Sequence, residues 1–121
     1  MKILIIDDNT KLTTMFSKML QVSNHQSVVA NDGKNGLSLI KQEKFDVIIL
    51  DLAMAGFSGY DVIDELVKDD SIKNYKIIIL TATTITQEKI DHLLNKGVKL
   101  VLKKPIKIDD LIEALKNVSG Q

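Results

Sequence analysis

The chain has no cysteine among its 121 residues, so disulfides and thiolate metal sites are excluded, and the absence fits a reducing compartment. Proline is almost missing as well: Pro105 stands alone, and the six glycines are scattered. No linker, repeat or low-complexity segment is present, and one domain over residues 1–121 is expected. An excess of one charge is also lacking. Sixteen basic and sixteen acidic residues cancel, which argues against a broad electrostatic grip on nucleic acid or anionic lipid. The opening MKILIIDD has an apolar run, but two aspartates interrupt it at once, so there is no signal-peptide layout. No apolar stretch approaches the ~20 residues that span a bilayer. A soluble cytoplasmic protein is expected, with no direct nucleic-acid or membrane partner. Met1 directly before the first apolar run and the short polar tail Ser119-Gly120-Gln121 are expected of a natural chain rather than an excised piece.

What is present alternates. Ile3–Ile6, Val47–Leu50 and Ile77–Leu80 are solidly aliphatic runs flanked by polar residues, the pattern of strands buried on both faces. Ser27–Ala30 and Leu100–Leu102 are weaker strand candidates. Helical spacing fills the gaps: Leu12, Met15, Phe16 and Met19; Ile63, Leu66 and Val67; Ile90, Leu93 and Leu94; and Ile108, Leu111, Ile112 and Leu115. Between Gly33 and Glu43 the spacing is looser, with Leu37 and Ile40 on one face. Ser58 with Asp61, and Thr84 with Gln87, have the spacing of capping pairs that start helices. Gly97 stands where a helix-ending glycine belongs. Strand and helix alternate five times. That order predicts a doubly wound α/β fold, a parallel sheet with right-handed connections and helices on both faces. The strand order 2-1-3-4-5 is a common solution.

The polar residues fall at the carboxyl ends of the predicted strands. Asp7 and Asp8 follow the first, Asp51 the third, Thr81 the fourth, and Lys103 and Lys104 the fifth. Taken singly, an aspartate before a helix is ordinarily a cap, a threonine an ordinary strand residue and a lysine a solvated one. Together they converge on the edge where open α/β sheets bind ligands. Clustered carboxylates repel one another, and a divalent cation relieves the repulsion. Hard oxygens suit Mg²⁺, which takes few carboxylates and completes its shell with water and phosphate. Lysine adds a point charge for phosphate and threonine a hydroxyl donor. The set predicts phosphoryl chemistry with one carboxylate as acceptor.

On these residues the chain resembles a response-regulator receiver domain of two-component signalling. The matching stretches are IIDDN at 5–9, NDGKNGL at 31–37, VIILDLAM at 47–54, Gly59, ILTA at 79–82 and Lys104-Pro105. A chemotaxis regulator of that family is itself a standard example of the flavodoxin-like 2-1-3-4-5 sheet. The resemblance implies that Asp51 is phosphorylated, and that Asp8 directly, Asp7 largely through water, Asp51 and the backbone carbonyl of Ala53 hold Mg²⁺. It implies that Thr81, Ala82 and Lys104 bind the phosphoryl group, and that the Lys104–Pro105 bond is cis. Lys103 is expected to be solvated. A histidine kinase or phosphotransfer protein would be the donor and an unknown protein the downstream partner. The chain would be a stand-alone phosphoacceptor, not an enzyme, signalling through the fourth helix, fifth strand and fifth helix.

The sequence departs from the family pattern at several places. Ala55 stands where proline is frequent, and Val101 where an aromatic is usual. Ala53 and Thr83, two residues after the acceptor and the threonine, offer neither carboxylate nor amide to position water. Val101 is too short and too stiff at χ1 to swing between surface and interior. The response is therefore expected in the loop Thr81–Thr84 and the helix start, capped by Thr84. A receiver fragment of a larger regulator is an alternative, as is a small flavin-binding electron carrier, though two acidic residues after the first strand oppose its anion. An aspartyl phosphatase would want a cap insertion for which 121 residues leave no room. From Glu88 to Lys116, seven lysines face five acids, the composition of a solvated mixed surface. His25 and His92 belong to no ligand set.

Overall fold

The computed structural model describes residues 1–120; Gln121 of the polar tail lies outside the described residues. The elements alternate as β1 (Lys2–Ile6), α1 (Thr10–Val22), β2 (Gln26–Ala30), α2 (Gly33–Gln42), β3 (Val47–Leu50), α3 (Gly59–Lys68), β4 (Ile77–Thr81), α4 (Gln87–Lys96), β5 (Leu100–Lys103) and α5 (Ile108–Ser119). A short 3₁₀ turn over Ile72–Asn74 precedes β4. The five strands form one sheet in the order β2-β1-β3-β4-β5, and every neighbouring pair is parallel. The predicted doubly wound architecture is the one observed.

The continuous aliphatic runs follow from period-two geometry in a sheet covered on both sides. Leu4, Ile6, Ile48, Leu50, Ile77 and Ile79 face one core, which takes Ile40 from α2, Val62, Ile63 and Leu66 from α3, and Leu93 from α4. Ile3, Ile5, Val47, Ile49, Ile78 and Leu80 face the other, against Phe16 and Leu20 of α1 and Leu111 and Leu115 of α5. Both residue sets of each central strand are buried, so a one-residue slip exchanges one full core face for the other and the pairing register is held by both.

Several helix ends follow from capping chemistry. The Asn9 side chain accepts from the Leu12 N–H and starts α1; Asp32 accepts from Asn35 and starts α2. Ser58 and Asp61 form a reciprocal capping box at α3, and Gly97, at φ 122°, ends α4.

Two expectations need correction. The Thr84–Gln87 pair does not start the fourth helix: Thr86 is its cap and accepts from the Lys89 N–H at 3.2 Å. Ile85 is part-buried against the core, and seating it holds the chain outside the helix until Thr86. On α1 the buried line is Thr13, Phe16 and Leu20, whereas Met15 and Met19 are 43% and 37% exposed. The 13/16/20 face reaches the sheet, and Asn31 satisfies the buried Thr13 hydroxyl by donating to it at 3.1 Å. Val67 and Leu94 likewise sit at the exposed margins of their helices.

Candidate functional site: an acidic pocket at the strand tips

Register brings the acids together. Ile6 pairs with Leu50, so Asp7 and Asp51 leave adjacent strands at the same level. Backbone bonds continue the ladder past the strand ends: the Asp51 N–H donates to the Ile6 carbonyl at 3.0 Å and the Asp7 N–H to the Ala30 carbonyl at 3.1 Å. Both side chains are buried while Asp8, one residue on, is exposed. Oxygens of Asp7, Asp8 and Asp51 lie within 4.8 Å of one another.

Lys104 reaches this pocket from the segment after β5. Its Nζ donates to Asp7 Oδ2 at 2.5 Å and to Asp51 Oδ2 at 3.4 Å. The lysine side chain is only 16% exposed, so the pair is shielded from water and counter-ions. Its backbone N–H donates to the Thr81 carbonyl at 2.9 Å, tying the lysine to the tip of β4. The Lys104–Pro105 bond is cis. Thr81 is 1% exposed and its Oγ1 accepts from the Thr83 N–H at 3.2 Å. Ala82, Lys103 and Ala53 are exposed, and the Ala53 N–H donates to Asp51 Oδ1 at 3.3 Å.

Burial pushes the Asp7 carboxyl above its ordinary range, and the nearby Asp51 charge adds to this. The Lys104 contact and the hydrogen bond from the Asn9 N–H oppose the rise without cancelling it. Three carboxylates sharing one ammonium are short of positive charge. A hard, all-oxygen donor set with a deficit of positive charge fits a divalent cation such as Mg²⁺.

Two supporting roles are not readable from spacing. Asn31 Nδ2 donates to the Asp7 carbonyl at 2.9 Å as well as to Thr13, fixing the backbone beside the acids. Gly59 opens α3 beneath Asp51. A Cβ there would stand 2.2 Å from the Asp51 carbonyl oxygen, so only glycine lets the helix approach the strand tip this closely. Both residues lie in the stretches that carry the family resemblance; their contacts become visible only once β2, β3 and α3 converge.

Fold and pocket together define a flavodoxin-like α/β protein whose strand tips carry an acidic, cation-ready site. The family model described as "Response regulator receiver domain" matches residues 3–116, and the chain belongs to that family. It is 30% identical over 117 residues to protein PilH of Pseudomonas aeruginosa, covering 97% of this chain and 96% of PilH. Its fold superposes on the receiver domain of the Francisella response regulator 1452 with a TM-score of 0.86 at 32% identity, covering 98% and 95% of the two chains. The response regulator TrrA of Thermotoga maritima, solved in complex with Mg²⁺ and BeF, is 27% identical, with a TM-score of 0.79 and 97% of each chain covered. The chain is thus a response-regulator receiver domain, a signalling module. Among the described residues, no helix is long and apolar enough to cross a membrane.

Proposed function

We propose that this chain is a single-domain cytoplasmic response regulator that accepts a phosphoryl group on Asp51 from the phosphohistidine of a histidine kinase or phosphotransfer protein. The observation that carries the reading is the convergence of three carboxylates with Lys104, whose amine lies 3.4 Å from Asp51 Oδ2. An Asp51 oxygen forms the new bond to phosphorus, the P–N bond of the donor breaks, and its electron pair returns to the imidazole. Asp7, Asp8, Asp51 and the Ala53 carbonyl would hold Mg²⁺, which when bound offsets charge on the phosphoryl oxygens. Lys104 meets one of those oxygens as a point charge. The Thr81 hydroxyl would turn from the Thr83 N–H to donate to another, and Ala82, the exposed residue next along, would also bind the phosphoryl group. The chain acts as a phosphoacceptor that promotes its own modification and its reversal, not as a turnover enzyme on a separate substrate. The modified state is read by a downstream protein on the α4–β5–α5 face.

Intact mass after incubation with acetyl phosphate and Mg²⁺ tests this. The wild type gains one phosphate and Asp51→Asn gains none. A gain that persists in Asp51→Asn refutes the assignment of the acceptor.

A further inference from the structure

Asp8 is the least constrained of the three acids. Asp7 and Asp51 are buried and each meets Lys104, whereas Asp8 is exposed and forms no ion pair among the described residues. Its backbone is nonetheless held. The Asp7 carbonyl belongs to the peptide that joins the two acids, and it accepts from Asn31 Nδ2 at 2.9 Å. What is left free is the Asp8 side chain. Among the described residues one hydrogen bond reaches it, from the Ala55 backbone N–H to Oδ2 at 3.4 Å.

That donor sits in the loop between β3 and α3, and the loop is tied down on both sides of it. The Ala53 N–H donates to Asp51 Oδ1 at 3.3 Å, and the Gly59 N–H to the Leu52 carbonyl at 3.0 Å. Phe57 is seated against the start of α2, so closely that a Cβ on Gly33 would stand 2.2 Å from the Phe57 carbonyl oxygen. Between these anchors Ala55 and Gly56 are exposed, and Gly56 turns the chain at φ 77°. The donor is therefore carried by an anchored segment rather than a free one. It is also peculiar to this sequence: proline, frequent in the family at the position of Ala55, has no N–H to give.

We propose that Ala55 is a positioning residue for the cation site: its N–H holds one oxygen of Asp8, so that the other is presented to Mg²⁺ in a single rotamer. An exposed aspartate without such a contact samples several rotamers, and ordering it when the cation binds costs affinity. The bond is charge-assisted, because the acceptor is ionised. One amide on one oxygen leaves the second oxygen's lone pairs for the metal. The effect on Mg²⁺ rests on the reading that Asp8 is a cation ligand; the ordering of the Asp8 side chain in the cation-free protein does not.

The test compares the full chain, labelled with ¹⁵N and ¹³C, with Ala55→Pro and Ala55→Val. Proline deletes the N–H at a position where the family accommodates it. Valine keeps the N–H while stiffening the loop, so it separates the hydrogen bond from loop rigidity. An unchanged spectrum over β2 and α5 confirms that both variants are folded. Without cation, the two Hα–Hβ couplings of Asp8 are expected to be unequal in wild type and Ala55→Val, the mark of one rotamer, and averaged in Ala55→Pro. Titration with MgCl₂ alone, followed by the amide shifts of Asp8 and Ala53, should show binding weakened about threefold or more in Ala55→Pro and unchanged in Ala55→Val. Averaged couplings in the wild type, unequal couplings in Ala55→Pro, equal or tighter Mg²⁺ binding by Ala55→Pro, or an equal loss in Ala55→Val overturns the proposal. If the wild type binds no Mg²⁺ at millimolar concentration, the cation reading itself is refuted, and the couplings alone decide whether Ala55 holds Asp8.

Discussion

Asp7 carries the sharpest conflict between stability and site chemistry. Burial and the Asp51 charge raise its carboxyl above the ordinary range despite the Lys104 contact. A raised folded-state value means that ionised Asp7 disfavours the native state at neutral pH, and the penalty lifts as pH falls through that value. Asp7→Asn removes the charge and keeps an oxygen for the Asn9 N–H, but puts a donor amide where Lys104 met Oδ2, leaving the lysine to pair with Asp51. It is expected to stabilise the cation-free protein by about 1 kcal/mol, seen as a higher urea midpoint at pH 7 with unchanged slope. Added Mg²⁺ should narrow the gap by stabilising the wild type. A lower midpoint for Asp7→Asn would show that the Lys104 pair outweighs the burial cost. The same residue illustrates what sequence reveals of the site: Asp7, Asp8, Asp51, Thr81 and Lys104 are legible as strand-tip residues, because their places follow from chain order alone. Asn31 and Gly59 are not, because their contacts cross between elements far apart in the chain.

At the scale of elements, α4 is the piece whose boundary moved. A capping pair is a local signal, and Thr84–Gln87 satisfies its spacing, yet the partial burial of Ile85 decides where the helix begins. Thr86→Ala should cost about 1 kcal/mol by removing the side-chain acceptor for the Lys89 N–H, whereas Thr84→Ala should cost little. Equal costs in thermal unfolding would contradict the observed cap. Val101 is part-buried against the same core as Ile85, with no aromatic at its position to swing. Beryllofluoride with Mg²⁺ is expected to shift amides most over Thr81–Gln87, with little change in the Val101 methyl signals. Shifts confined to Asp7, Asp8, Asp51 and Lys104 would mean that the response stops at the pocket.

For the whole molecule, pH also acts at the opposite end of the sheet from the acids. The His25 Nδ1 lies 3.0 Å from the Met1 nitrogen, and burial, then the positive charges of Met1 and Lys116, lowers the ring's affinity for a proton. A lowered value means that the unfolded chain binds the proton first. Stability from this group is full above the ordinary value of about 6.5 and declines as pH falls below it. His25→Gln should flatten the stability curve below the ordinary histidine value of about 6.5 relative to wild type. Chemical denaturation at half-unit intervals measures the difference, and parallel curves would exclude the histidine as its source.

Element order, parallel pairing, both core faces and the strand-tip positions of the acids were determined by the sequence itself, because they follow from periodicity and chain order. Three things were decided only in three dimensions. The buried line of α1 depends on which face of a helix with several apolar positions meets the sheet, so Thr13, Phe16 and Leu20 displaced Met15 and Met19. The start of α4 depends on Ile85 finding the core. The charge balance of the pocket depends on Lys104 travelling 97 residues along the chain to stand 2.5 Å from Asp7. A local pattern counts apolar positions and capping residues; it does not contain the distances between elements, and those distances set packing and charge.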